Sequence, residues 1–299
     1  MFTLLTFFAG MIGAITVLQG GQLAEFYGGY SSAVITHAVG LLAAALLYTV
    51  RRKHLPVRQP VAPWMFLGGV IGAGTVVLNN MAYGGVGVTA IVGLGLLGQS
   101  ITSLFVDQFG LLGAAKSPFF KEKLLGLAAV LAGALVMVFP LNGANIAAVL
   151  MALGTGLTIV TARTVNARLA ERHGAVRSTV MNYITGLAAS SAVLLLVGRG
   201  EPMMQNFHLS ANWFMYLCGA FGVGLTIILN VTVSKVSAFA LTLLQFTGQI
   251  FTGLLLDTLV KGSFSVQSAI GGLLVATGLG LNTWLDNHRK LAAAADEGH

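Results

Sequence analysis

Long apolar runs, broken by short polar or glycine-containing stretches, dominate this chain. The runs cover 2–22, 28–50, 63–83, 86–108 and 123–140, then 145–167, 174–197, 212–233, 237–260 and 264–285. A run of about 20 residues at 1.5 Å per residue spans a bilayer core as a helix. Backbone in lipid must satisfy its own hydrogen bonds, and strand-type alternation is absent. Leu, Ala and Gly fill the runs, whereas a membrane barrel shows alternating segments of about 10 residues. The pattern predicts an all-α membrane protein with about ten transmembrane helices.

The pattern also repeats. Gly98-Gln99, followed by Asp107, returns as Gly248-Gln249, followed by Asp257, at the same spacing. Gly69, Gly72, Gly74 and Asn80 return as Gly219, Gly222, Gly224 and Asn230. Gly28 and Gly40 align with Gly174 and Gly186, and Gln19-x-x-Gln22 with Arg163-x-x-Asn166. Each copy holds about five spans, an odd number, so the second copy sits inverted in the bilayer. The expected division is a first five-helix repeat over 1–140, a second, inverted repeat over 141–285, and a cytoplasmic tail over 286–299.

Composition agrees with lipid as the solvent. The chain is 56% hydrophobic and 8% charged, with mean hydropathy +0.85, against roughly 25% charge in soluble domains. Its net charge of +7 does not point to nucleic acid, because the basic residues sit in short loops. Cys218, the single cysteine, excludes an intramolecular disulfide and a zinc-type cluster, and no cofactor is implied. Met1–Leu5 lacks a positively charged leader, so the first span is expected to be a retained helix.

The basic residues orient the chain. Arg51, Arg52, Lys53, Arg58, Lys116, Lys121, Lys123, Arg168, Arg172, Arg177, Lys235, Arg289 and Lys290 fall on the side of the two termini. Only Arg199 and Lys261 fall opposite. By the positive-inside rule both termini are cytoplasmic, and a multi-pass inner-membrane protein is expected. The loop bias reverses between the halves, as inversion requires.

Polar residues inside the spans are functional candidates, because an ionisable group there costs about 2.5–3.5 kcal/mol. Gln99, Ser103 and Asp107 share one helix face at i, i+4 and i+8, and Gln249, Gly253 and Asp257 repeat it. Gln99 and Gln249 lie deep and are candidates for lining a cavity. Asp107 and Asp257 lie near span ends, where structural ion pairing (Lys261 for Asp257), gating and direct solute or proton contact all remain open. His37 lies near mid-bilayer, either carrying a coupling proton or bonding a backbone carbonyl or hydroxyl. Arg163 either snorkels to the interface or turns inward. Gln19 joins the cavity candidates. So do Asn80 and Asn230, for which interhelical hydrogen bonding is the plainer role.

No His-Glu-x-x-His, Gly-x-Ser-x-Gly or Walker loop occurs, and the loops are too short for a nucleotide-binding domain. The expected activity is secondary transport by alternating access, with protons as a candidate coupling ion. A channel, a lipid scramblase and a non-transporting scaffold are the alternatives, and an enzyme is not expected.

Pro63-Trp64, Gly68-Gly69, Gly72, Gly98-Gln99, Ser103 and Asp107-Gln108-Phe109-Gly110 resemble the YdcZ-like branch of the drug/metabolite transporter superfamily. The whole chain resembles two fused five-helix units of that branch. The resemblance implies a central cavity lined by the first four helices of each half, and export or uptake of small metabolites or drugs. It leaves the fifth and tenth helices to close the bundle or form a homodimer contact. Similar small multidrug resistance proteins use a glutamate in their first helix. Neither 2–22 nor 145–167 holds an acidic residue, so neutral or anionic solutes are the expected class.

Overall fold

A computed structural model of the protein describes residues 2–51, 59–113, 121, 123–139, 143–232, 238–262 and 264–296. Among these, helix accounts for 90% and no strand occurs. The helices are α1 (Phe2–Tyr27), α2 (Gly29–Arg51), α3 (Gly68–Tyr83), α4 (Val88–Phe109) and α5 (Lys123–Val138). They continue as α6 (Gly143–His173), α7 (Ala175–Val197), the four-residue α8 (Pro202–Gln205), α9 (Cys218–Thr232), α10 (Ala238–Lys261) and α11 (Val266–Asp296). Tight turns at Pro63–Leu67 and Trp213–Leu217 lead into α3 and α9.

Among the described residues, six helical stretches are long and apolar enough to cross a membrane: Leu4–Tyr27, Gly29–Arg51, Pro63–Tyr83, Val88–Val106, Ile146–His173 and Ala175–Gly200. Leu124–Met137, Trp213–Leu229 and Val266–Asn282 are shorter apolar helices. The outer faces of the long stretches carry leucines as bare as Leu42 (72% exposed) and Leu196 (79% exposed). Water would not tolerate such a surface, but lipid does.

Helix ends differ from the apolar pattern where polar residues extend a helix beyond lipid. α1 continues to Tyr27 and α6 to His173. Each then turns into the next helix through one residue, Gly28 (φ 102°) or Gly174 (φ 83°), a conformation that a side chain would strain. α11 runs on to Asp296 through the segment expected as a tail. Ala292–Ala295, the strongest helix former repeated, favours that continuation.

Packing pairs α1 with α10, α4 with α6, α2 with α7, and α5 with α11. α3 lies on α6 and α7, and α9 lies on α1 and α2. Glycine permits the closest approaches, as expected where small residues replace a hydrophobic driving force between helices. A side chain on Gly98 would strike the Leu153 carbonyl of α6, and one on Gly248 the Phe7 carbonyl of α1. Between α5 and α11 the contact is mutual: Gly133 faces the carbonyl of Gly271 and Gly271 that of Gly133. Gly126 and Gly278 repeat this two turns away. The main core, with Ile91, Leu96, Val130 and Val275 buried, fills the space among α1, α4, α5, α10 and α11.

Candidate functional site

A cavity of about 50 Å³ lies inside the bundle. Gly13 and Val17 of α1, Asn79 of α3, and Ile91, Val92, Gly95 and Gln99 of α4 line it, with Thr155 and Ile159 of α6 and Gln249 of α10. Pockets for drug-sized ligands occupy about 300–1,000 Å³, so in this conformation the cavity holds a few waters at most. Its wall has the composition of a solute site: apolar residues with a few convergent polar groups. Gln99 and Gln249 enter from different helices. The Gln249 amide lies over Gly13, where a Cβ would sit 2.8 Å from its Nε2. Thr155 is buried and donates its hydroxyl proton to the Ala152 carbonyl (2.7 Å).

The other sequence candidates take different positions. Gln19 is fully buried and its Nε2 donates to the Phe214 carbonyl (2.9 Å), tying α1 to the turn before α9. Asn80 donates from Nδ2 to Ser32 Oγ (2.9 Å) and the Gly29 carbonyl (3.2 Å), tying α3 to α2. His37 is buried, with Nδ1 2.8 Å from the Ala33 carbonyl and its ring over Gly186 of α7. Ser103 is half-buried and is not part of the cavity wall. Arg163 is exposed. It stands at i+8 from Thr155 and i+4 from Ile159, the two α6 residues of the wall, and so shares their helix face. Asp107 lies on α4 and Asn230 on α9, with side chains outside the described residues.

Asp257 is buried. Its Oδ1 accepts from the Val88 amide and its Oδ2 from the Thr89 amide, both at 2.9 Å. These are the first N–H groups of α4, which a helix cannot satisfy internally. Gly87, the residue before α4, makes no side-chain cap. The carboxylate of α10 therefore supplies both a cap and a negative charge at the positive helix end. The sequence suggested Lys261 as its partner; that side chain lies outside the described residues, and the contacts seen are with two backbone amides. Glu201, not singled out from the sequence, does the same for α2: it accepts from the amides of Tyr30 (2.8 Å) and Ser31 (2.7 Å) and from Ser31 Oγ (2.6 Å).

A family profile described as "Putative inner membrane exporter, YdcZ" matches the chain over residues 1–136 and 147–281. The chain belongs to the YdcZ family. As a YdcZ-family protein it is a membrane transporter, integral to the inner membrane. No curated protein matches it. A solved structure described only as "Crystal structure of protein" is similar in fold, with TM-score 0.59 and 18% identity over 94% of this chain and 98% of that one.

Sequence reasoning missed Asn79 and Thr155 on the cavity wall of this YdcZ-family chain. Asn79 adjoins Asn80, which drew attention through its match to Asn230. Thr155 lacks a polar counterpart at the aligned position of α1. The i, i+4, i+8 series Thr155, Ile159 and Arg163 was the available signal.

Proposed function

We propose that this protein is a secondary transporter that exports small neutral or anionic solutes by alternating access between two inverted five-helix repeats, 1–140 and 141–285. The cavity shared by Gln99 and Gln249 carries this reading. One glutamine comes from each repeat, at matched sequence positions, onto one internal space between them.

Matched contacts support the repeat. α4 packs on α6 as α10 packs on α1, and α3 packs on α7 as α9 packs on α2. Ser32 Oγ donates to the Gly20 carbonyl (3.0 Å), and Ser178 Oγ to the Asn166 carbonyl (2.9 Å). This register, continuous through Gly28 and Gly174, sets Arg163 opposite Val17 rather than opposite Gln19 as the sequence alignment had it. Val17 is on the cavity wall, so the register favours the inward orientation of Arg163. In this reading Gln99, Gln249, Asn79 and Thr155 hold the solute. Arg163 attracts anionic groups from the cytoplasmic side. Gln19, His37 and Asn80 hold helices in place.

A thermal-shift screen of neutral and anionic metabolites on the purified protein supplies a ligand. Counterflow of that ligand in proteoliposomes is the test. Saturable flux with counterflow is expected. Linear, non-saturating flux would make the protein a pore, and no flux of any stabilising ligand would leave a scaffold.

A further inference from the structure

The proposed solute path carries a cation, Arg163, and its surroundings define what it takes. Ile146, Leu150 and Leu157 form the exposed, lipid-type stripe of α6. Arg163 is exposed as well, but not on that stripe. At about 100° per residue it stands about 120° from Leu157, and only about 40° from Ile159 on the cavity wall. Gly156 lies about two turns earlier on nearly the same line of the helix. It is buried, and a Cβ there would strike the Gln99 backbone amide of α4. The line of α6 that carries Arg163 therefore faces α4 and the cavity, and solvent reaches this residue from inside the bundle.

Direction separates the cavity from the interface. In a helix the Cα–Cβ bond tilts toward the N-terminus, and a long side chain covers the turn before its own Cα. For Arg163 that turn contains Ile159, and the same direction leads on to Thr155, both on the wall. Snorkelling to the nearer interface would need the opposite tilt. Among the described residues the guanidinium has no hydrogen bond or ion pair. Glu171, on the same helix, is held by Arg168 (3.1 Å). Glu25, Glu201 and Asp257 belong to the other end of the bundle. A fork of N–H donors thus stands open toward a wall whose amides, Gln99, Gln249 and Asn79, are uncharged.

We infer that the solute is a small hydroxylated monocarboxylate, with Arg163 taking its carboxylate and Gln99, Gln249 and Asn79 its hydroxyl groups. This rests on the transport reading above. A planar guanidinium matches a carboxylate through two parallel hydrogen bonds. One positive charge balances one negative charge. A phosphate monoester, at about −1.5 to −2 near neutral pH, exceeds it, and a cation meets repulsion. Carboxamides both donate and accept, as hydroxyl groups do. The two mouths of the cavity are unequal, because the register sets Val17 where the other repeat has Arg163. The mouth with Arg163 is the one that the basic residues assign to the cytoplasm, and Arg168 and Arg172 follow on the same helix. The carboxylate is therefore captured more tightly from the cytoplasmic face.

The test measures transport of lactate, glycerate and gluconate in proteoliposomes of known orientation, each acid beside its neutral amide. The parent is expected to take at least one acid with a half-saturation about tenfold or more below that of its amide, the preference that a charge-assisted pair supplies. That half-saturation is expected to be lower on the cytoplasmic face than on the periplasmic face. Arg163→Gln is expected to erase both differences, with flux of the amide and the melting temperature unchanged. Arg163→Lys keeps the charge without the fork and is expected to recover part of the preference. Equal half-saturation of acid and amide in the parent would overturn the inference, a result that depends on no variant. So would a preference that survives Arg163→Gln, or counterflow of some other stabilising ligand with none of the three acids taken. Failure of the transport reading looks different, because no stabilising ligand of any charge then shows counterflow.

Discussion

His37 and Tyr183 meet between α2 and α7 with ring centroids 5.8 Å apart, each ring lying over a glycine of the opposite helix. His37 covers Gly186 and Tyr183 covers Gly40. The sequence alignment pairs His37 with Tyr183 and Gly40 with Gly186, so the contact is its own counterpart under exchange of the halves. A methyl group at Gly186 would drive into the His37 ring, and overpacking of this kind costs about 1–3 kcal/mol. Gly186→Ala and Gly40→Ala are expected to lower the melting temperature in detergent. Gly74→Ala, at a position with nothing within 4 Å, is expected to leave it unchanged or raise it, since alanine is the better helix former by about 1 kcal/mol. Equal melting of all three would refute the packing described.

The same geometry bears on proton coupling. One ring nitrogen of His37 is held by its own helix at Ala33, and the opposite edge is pressed against Gly186. The histidine has a packing task that glutamine fills only in part. His37→Gln is expected to lower stability and leave the pH profile of transport where it was. A displaced profile would return His37 to the proton pathway.

Gln99 and Gln249 make a direct test of the cavity. Gln99→Trp or Gln249→Trp fills a space of about 50 Å³ and is expected to abolish flux, with the melting temperature little changed. Transport at the parent rate by either variant would remove that residue from the solute path.

Neighbouring asparagines should behave oppositely. Asn80→Leu leaves Ser32 Oγ and the Gly29 carbonyl without their donor. It is expected to destabilise by about 1–2 kcal/mol, given roughly 0.6 kcal/mol per interhelical bond and the cost of a buried polar group left unpaired. Asn79→Ala is expected to alter transport and spare the fold. Thermal melts beside initial rates separate the two, and the reverse result would exchange their assignments.

These pairs mark what the sequence made visible. Lipid thickness sets the length of an apolar run, so the helices could be outlined from hydropathy. Their polar extensions, such as α6 to His173, could not, because water places no such limit. Gln99 and Gln249 stood out as lone amides at matched depth. Which of Asn79 and Asn80 turns inward depends on a 100° step around α3 and on what packs there. The amides that hold Asp257 have no side-chain signature, so the sequence offered only Lys261 as a partner.

Glu201 supplies a stability test outside the cavity. Its carboxylate takes three hydrogen bonds from Tyr30 and Ser31, and bonds to a charged acceptor contribute about 1.5–3 kcal/mol each. Glu201→Gln should lower the melting temperature more than Gln205→Ala, whose Nε2 donates to the exposed Gly200 carbonyl. Matching melts for the two would show that the α2 terminus needs no anion.

The facing glycines of α5 and α11 carry one more consequence. At Gly126 with Gly278 and again at Gly133 with Gly271, each glycine lies against the carbonyl of its partner. The pair therefore has no room for growth: a β-carbon at any of the four would have to displace a carbonyl of the facing helix.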